Sequence, residues 1–426
     1  MERNSLVYKT YIDILKKELV PAMGCTEPIS LAYCAAKARE ILGCIPKSAN
    51  IKVSGNIIKN VKSVVVPNSN GLRGIETAAA IGILYGNPDL QLEVISKVTE
   101  EESKALSERM KEITFTVSAL NTEHVLDIVI ELSDGVHTSC VRICDEHTNI
   151  VSIMRDGECL WAKDGDCSCE EESDELDYGL LNVADIFDFA NTACLEDVAP
   201  IIDRQINYNT AISKEGMANN YGARIGQILS KRDNSPRTRA KAMAAAGSDA
   251  RMGGCDMPVI INSGSGNQGM TTSLPVIVYA DYYGKTHEEL TRALLMSNLV
   301  TLHLKKGIGR LSAYCGAVSA GASAGAGIAY LLTGDLRTIN HTLVNALAIT
   351  SGIVCDGAKA SCAAKIAMAV DAGIMGYEMF CDGCQFFRGD GLVGKGVEKT
   401  IENISALGHD GMKETDTKII EIMINC

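Results

Sequence analysis

The chain has 426 residues, of which 46% are hydrophobic, and its formal net charge is -13 at pH 7. This length allows two or three domains, or one large domain with an insert, and the apolar share excludes a disordered chain. The negative charge disfavours a nucleic-acid partner.

The first 88 residues are predicted to combine helices with one extended segment. Apolar spacing predicts two helices within residues 7–42, separated by a loop over 21–28 with the sequence Pro-Ala-Met-Gly-Cys-Thr-Glu-Pro. Residues 51–66 are predicted to be extended. A helix rich in small residues is predicted over about 75–85, and Pro88 marks its end because proline cannot continue a helix.

Residues 89–172 differ from the rest of the chain, because short β-rich segments alternate there with turn residues. A charged helix is predicted over 100–110. Near period-2 alternation predicts strands at 92–96, 113–117, 125–130, 137–143 and 150–153. This pattern is typical of a small α+β domain, and an acidic run over 170–177 closes it.

From residue 173 onward the pattern is almost wholly helical, with Gly-rich turns. The apolar stretch 316–332 is short for a membrane span and contains serines and glycines, so we predict a buried core helix and no membrane partner. The predicted fold class is mainly α. An Ala/Gly-rich helical domain is formed from both ends of the chain (1–88 and 173–426) and is interrupted by an inserted α+β domain (89–172). Because such helices pack closely, a homodimer is an expected assembly.

Sixteen cysteines in a chain without an apolar signal core indicate a reducing compartment, and we expect the cytoplasm. Cys25 lies in the loop 21–28, just before a predicted helix N-terminus, and this position favours the thiolate. Cys315, Cys355 and Cys362 each lie where a loop meets an Ala/Gly-rich helix. From their spacing alone, these three cysteines are either ligands of a shared metal site or buried thiols.

The glycine-rich segment 264–269 formally matches the G-x-G-x-x-G pattern. The sequence that follows is helical and contains Pro275, which does not fit a dinucleotide-binding unit. A loop rich in Ser, Asn and Gln suits a small carboxylate instead. The candidate substrate-binding residues are Ser263, Ser265, Asn267 and Gln268. The pairs Cys381–Cys384 and Cys167–Cys169 have no supporting context, and we interpret them as incidental.

Four motifs together resemble the serine-dehydratase-like family, which includes L-cysteine desulfidases and UPF0597-type proteins. They are the segment 21–28, Gly264-Ser-Gly-Asn-Gln-Gly269, Cys315-Gly-Ala-Val-Ser-Ala-Gly321 and Cys355-Asp-Gly-Ala-Lys-Ala-Ser-Cys362. The resemblance covers nearly the whole chain, and the C-terminal half is similar to the α domain of iron–sulfur L-serine dehydratases. It implies a [4Fe–4S] cluster held by Cys315, Cys355 and Cys362, with Cys25 at the same site.

The resemblance also implies a lyase that converts L-cysteine to pyruvate, ammonia and hydrogen sulfide. The segment 21–28 stands where serine dehydratases have a serine-rich substrate loop, which favours cysteine over serine. We expect Cys25 and Lys359 to act in catalysis, and Glu27 to bind substrate together with the glycine-rich loop. Three alternatives remain open: L-serine dehydration with the same cluster, pyridoxal phosphate chemistry on Lys359, and a non-catalytic iron–sulfur or zinc sensor.

Two further side chains are considered for a role at the active site. Lys305 is a second candidate for the base that removes the α-proton, although an exposed lysine is expected there. Cys426 ends the chain, and in some iron–sulfur serine dehydratases the terminal cysteine caps the open iron. Here we expect an ordinary chain end after a docked apolar helix.

Overall fold

The structure is a computed structural model, and it describes residues 1–163, 176–309 and 311–424. The helices are α1 Leu6–Glu18, α2 Thr26–Leu42, α3 Gly55–Val61, α4 Ile75–Tyr85, α5 Glu100–Arg109, α6 Val183–Thr192, α7 Leu195–Ala218, α8 Ile225–Ser230, α9 Pro236–Met252, α10 Gly266–Tyr282, α11 His287–Ile308, α12 Gly316–Thr333, α13 Leu336–Thr350, α14 Cys362–Cys381, α15 Gly396–Ala406 and α16 Lys413–Ile424. The strands are β1 Pro21–Met23, β2 Ser48–Val53, β3 Thr114–Ala119, β4 Asp127–Ser133, β5 Thr138–Cys144, β6 Ile150–Arg155, β7 Glu158–Ala162 and β8 Pro258–Ile260. The predicted class, mainly α with a smaller sheet-containing part, is confirmed.

The helical body is packed through glycine and alanine, which explains why these residues are abundant in the second half of the chain. Helices α12 and α14 approach so closely that a β-carbon on Gly321 would lie 2.4 Å from the backbone of Ala369. A β-carbon on Gly373 would lie 2.2 Å from the Gly321 carbonyl oxygen. Both distances are far below van der Waals contact, so only glycine fits. Helix α12 is long and apolar enough to cross a membrane, but 83% of it is buried inside the protein, as expected of a core helix.

One sheet contains six strands in the order β3-β2-β4-β5-β6-β7, and β2 and β3 are its parallel pair. Helix α2 covers one face of this sheet. The Cys34 thiol donates to the Val141 carbonyl at 3.3 Å, and the Ser139 hydroxyl donates to the Ala38 carbonyl at 2.8 Å. The sheet thereby fixes the position of α2, the helix that begins directly after Cys25.

The sheet takes strand β2 from the N-terminal segment of the chain, while its other strands follow residue 89. The predicted domain boundary between residues 88 and 89 stays a prediction. The predicted extended segment 51–66 is only partly correct, because Ser54 is the N-cap of helix α3 and the strand ends before it. The Ser54 carbonyl accepts the first helical hydrogen bond from the Ile58 N–H at 3.2 Å, while its hydroxyl donates to the Val125 carbonyl at 2.9 Å and makes no cap.

The strand predicted at 92–96 is wrong. Residues 88–93 form a 3-10 helix, in which the Asn87 side chain accepts a hydrogen bond from the Asp89 N–H at 3.1 Å and Pro88 occupies the first turn. The apolar side chains of this segment, Leu92 and its neighbours, are buried without pairing to a strand. A short apolar run alone does not separate a strand from a buried helical turn.

The C-terminal helix α16 docks on α3. Lys59, which is only 1% exposed, forms an ion pair with Asp416 at 2.5 Å, and the Asn56 amide donates to the same carboxylate at 2.8 Å. Ile420 packs against Gly55, where an added β-carbon would lie 3.0 Å from it. The terminal helix therefore packs on the protein beside α3. Cys426, Cys167 and Cys169 lie outside the described residues.

Candidate active site

Two short strands bring the loop around Cys25 next to the glycine-rich loop. Strand β1 pairs antiparallel with β8, so that Met23 lies opposite Pro258. Beyond the strands, the Thr26 hydroxyl donates to the Gly264 carbonyl at 2.8 Å, which joins residues 238 positions apart. Two of the family-like motifs thus form one wall.

A cavity of about 100 Å³ opens at this wall, large enough for several water molecules or one small metabolite. The N-terminal turns of α2, α12 and α14 reach it, as do α3, α9 and the glycine-rich loop. Its lining residues are Cys25, Glu27, Lys59, Asn60, Arg251, Ser265, Asn267, Gln268, Lys305, Leu311, Ser312, Tyr314, Cys315, Gly316, Ala317, Cys355, Gly357, Ala358, Cys362 and Lys365.

Three predicted metal ligands, Cys315, Cys355 and Cys362, line this single cavity. Cys315 is the N-cap residue of α12, and Cys362 is the first residue of α14. The Cys355 N–H donates to the Ala313 carbonyl at 2.6 Å, and the Cys315 N–H donates to the Ile353 carbonyl at 3.1 Å. These two backbone bonds hold the loops side by side and explain how cysteines distant in sequence meet.

The three cavity thiols are spaced more widely than ligands of a single metal ion. Within the described parts of the chain, the group of ligand atoms that all lie within 4.8 Å of one another is His124, Cys144 and Asp145, which belongs to the sheet region and not to the cavity. The three thiols of the cavity are therefore spaced more widely than the ~3.8 Å that separates sulfur ligands around one tetrahedral zinc. Thiolates set further apart are the usual ligands of iron–sulfur clusters.

Burial affects the protonation of Cys315 and Cys362. It raises the pKa of Cys315 to about 12, and the nearby Cys355 and Cys362 add to the rise. The pKa of Cys362 is also raised, chiefly by burial. Such thiols become thiolates when a cationic metal centre replaces the solvation that burial removes.

Cys25 faces the cavity from the N-terminal segment and is 1% exposed. Its sulfur lies 3.7 Å from the Met252 sulfur, and Cys362 packs against the same small cluster. Burial raises the pKa of Cys25 to about 12, although Arg251 opposes the rise. Burial thus opposes the thiolate that the helix N-terminus is expected to favour at this position.

Four of the five predicted substrate-binding residues line the cavity, namely Glu27, Ser265, Asn267 and Gln268. The buried amide oxygens of Asn267 and Gln268 have no hydrogen-bond partner among the described residues. The structure does not bring Ser263 to the lining. Its φ of +48° lies in the left-handed region, and the residue shapes the turn before α10.

Lys359 is not among the lining residues. Its ammonium group pairs with Asp356 at 2.5 Å and donates to the Gly357 carbonyl at 3.1 Å, so it serves its own loop. Lys365, one turn into α14, lines the cavity instead. It contacts the Asp356 carboxylate and donates to the Val354 carbonyl at 2.7 Å, which ties the Cys355 loop to the helix that begins at Cys362.

For the cluster that the family resemblance implies, Lys365→Met is therefore expected to reduce retention by about tenfold, the lower range seen when groups that orient metal ligands are removed. The measurement is iron and sulfide per chain after oxygen-free purification and desalting. Lys359→Met is the matched control, and it should keep its iron and turn over within about twofold of the unmodified protein, since surface lysines contribute little. Full iron content in Lys365→Met would contradict the role of Lys365 in holding the Cys355 loop against α14.

Sequence reasoning missed several charged and polar lining residues. Arg251 is 2% exposed, and its Nε donates to the Gly24 carbonyl at 2.7 Å. Lys305 is 3% exposed and lines the cavity, which corrects the expectation of an exposed lysine there. Lys59 and Asn60 reach the cavity from α3. No local motif marks these positions, and only the fold reveals them.

Similarity to known proteins identifies the family of this chain. The family model described as "Serine dehydratase alpha chain" matches residues 89–421. The chain is 55% identical over 426 residues to a UPF0597 protein of Desulfitobacterium hafniense, covering 100% of this chain and 99% of that protein. It is 49% identical over 420 residues to one of Lachnoclostridium phytofermentans (98% and 100%) and 48% identical over 418 residues to one of Finegoldia magna (98% and 99%). The chain belongs to the serine dehydratase α-chain family, and this membership supports a serine dehydratase-like lyase. Within the family, its full-length similarity is to UPF0597 proteins.

Proposed function

We propose that the protein is an iron–sulfur-dependent lyase that converts L-cysteine and water to pyruvate, ammonia and hydrogen sulfide. The observation that carries the proposal is the meeting of Cys315, Cys355 and Cys362 at one small cavity with Cys25. The α-proton and the β-thiol leave the substrate together, and the resulting enamine tautomerises and is hydrolysed. A small amino acid matches the size and the polar lining of the cavity.

Cys315, Cys355 and Cys362 would hold a [4Fe–4S] cluster, whose iron without a protein ligand would supply Lewis-acid chemistry toward a departing sulfur. The chain itself binds and orients the substrate. The glycine-rich loop provides amide groups, and Cys25 and Met252 form a sulfur-rich wall that suits a thiol substituent. Burial of these residues excludes bulk water. We place such an oxygen-sensitive site in the cytoplasm.

L-serine is the second candidate substrate, and one observation favours it. Tyr314 lines the cavity, and its hydroxyl is buried and has no partner among the described residues. Burial raises the pKa of Tyr314, so the group stays protonated and suits a hydroxyl leaving group as a hydrogen-bond donor. Pyridoxal phosphate chemistry has no such support, because Lys359 pairs with Asp356 outside the cavity lining.

The test is purification without oxygen followed by parallel assays with L-cysteine and L-serine. We expect brown protein with about four irons and four sulfides per chain, and pyruvate and sulfide in equal amounts from L-cysteine. Pyruvate from L-serine at a higher kcat/KM would establish the second candidate. Colourless protein that is active, or brown protein inactive on both amino acids, would overturn the proposal.

A further inference from the structure

A cation and an anion face the same cavity without pairing with each other. Arg251 and Glu27 both line it, and among the described residues neither has an ion-pair partner. Two other cations of the cavity do form ion pairs: Lys59 pairs with Asp416, and Lys365 pairs with Asp356. An unpaired buried charge is costly, so a site that keeps two of opposite sign is suited to a ligand that carries both.

Arg251 is well placed to receive a carboxylate. It is 2% exposed at the end of α9, and its Nε is already used by the Gly24 carbonyl at 2.7 Å. Gly266 leaves space for the guanidinium, since a β-carbon there would lie 2.5 Å from Nε. The hydrogen bond and the close packing fix the plane of the guanidinium, and a fixed fork is the geometry that binds carboxylates in a bidentate manner.

Glu27 is well placed to receive an ammonium group. One Glu27 carboxylate oxygen accepts a hydrogen bond from the uncharged Asn60 amide at 3.0 Å, and the other lies 3.2 Å from the Thr26 hydroxyl, whose proton is donated to the Gly264 carbonyl at 2.8 Å. These contacts orient the carboxylate but leave its charge uncompensated. The unpartnered amide oxygens of Asn267 and Gln268 add further acceptors in the same cavity. Acceptors of this kind bind an ammonium group, which carries only donors.

We propose that Arg251 binds the α-carboxylate of the substrate and that Glu27 binds its α-ammonium group. Both charges act electrostatically on Cys25, so a substrate backbone bound by them would lie near this thiol. The substrate class is then a free, zwitterionic α-amino acid, and amides, esters and peptides are excluded. The assignment deepens the proposed function and depends on it only for the nature of the β-substituent.

Three small probes related to L-alanine separate the two charges: L-alanine carries both, propionate lacks its ammonium group and ethylamine lacks its carboxylate. None of them has a β leaving group. Binding to protein purified without oxygen is measured as the rise in unfolding temperature over a series of probe concentrations. We expect Arg251→Met to weaken the binding of L-alanine and propionate on the order of 10- to 100-fold and to leave the binding of ethylamine unchanged. Glu27→Gln should weaken L-alanine and ethylamine and leave propionate unchanged.

Matched controls are Arg239→Met on the same helix as Arg251 and Glu40→Gln on the same helix as Glu27, both in exposed ion pairs. They should bind all three probes normally. If Arg251→Met does not fold, Arg251→Lys keeps the charge without the fork and should weaken propionate several-fold but not ethylamine. Equal loss of all probes, or no loss, in the site variants overturns the assignment. Lack of turnover on L-cysteine and L-serine with this crossed pattern intact would instead overturn the proposed lyase.

Discussion

Cys355→Ser protein, purified without oxygen, is expected to be colourless and to lose at least ~100-fold of its lyase activity, because chemistry that needs the metal is lost with the ligand. Cys355 is the candidate ligand that lies in a loop, whereas Cys315 and Cys362 stand at helix N-termini. Its N–H is held by the Ala313 carbonyl, and Lys365 ties the neighbouring Val354 carbonyl to α14. The fold around it should therefore persist, and circular dichroism should stay unchanged.

The control for this variant is a cysteine of the sheet. Cys140→Ser changes a half-buried thiol of strand β5 that does not line the cavity. It should retain the full iron content and turnover, and so should Cys144→Ser. Iron and sulfide per chain and the broad absorbance near 400 nm measure the cluster, while pyruvate release measures activity. A Cys355→Ser protein that keeps about four irons, or a Cys140→Ser protein that loses them, would mean that the cluster lies elsewhere.

The three candidate cluster cysteines could be named from the sequence only through family resemblance, and the fold explains why. Cys315 and Cys355 approach through backbone bonds between two loops, an arrangement with no short-range signal. The helix 75–85 was predictable from its small residues and the Pro88 that follows it, and the charged helix 100–109 has a local start signal in the Thr99–Glu102 capping box. By contrast, β2 joins the sheet through a parallel pairing with β3, which no local pattern specifies.

The roles of the charged cavity residues likewise could not be predicted from the sequence alone. Arg251 belongs to an ordinary helix end, and its significance depends on Gly24 and Gly266, which reach it from two other segments. Lys359 and Lys365 lie close together in the sequence, and nothing local shows which of them lines the cavity. The direction of their side chains decides this. Lys359 folds back on its own loop, whereas Lys365 spans from α14 to the Cys355 loop. Long-range packing decides such roles, and composition does not encode it.

The second large effect is expected at Cys25. Cys25→Ala should keep most of the cluster, because the three candidate ligands come from other elements, yet lose about 100-fold or more in turnover, the usual range when a group that acts on the reacting atoms is removed. The thiol faces the cavity beside Met252 and Cys362, and Arg251 and Glu27 act on it electrostatically. No other thiol reaches the cavity from the N-terminal segment among the described residues.

The matched control is Cys34→Ala, which removes an equally buried thiol from the same helix, α2. Both variants should lose about 1 kcal/mol of stability, the typical cost of deleting one small buried group. Only Cys25→Ala should lose turnover, because Cys34 donates to the Val141 carbonyl on the sheet side of α2. Thermal unfolding, iron content and kcat are measured on both. Near-normal kcat in Cys25→Ala would reduce Cys25 to a packing residue, whereas equal loss of kcat in both variants would trace the effect to the position of α2 and not to the Cys25 thiol.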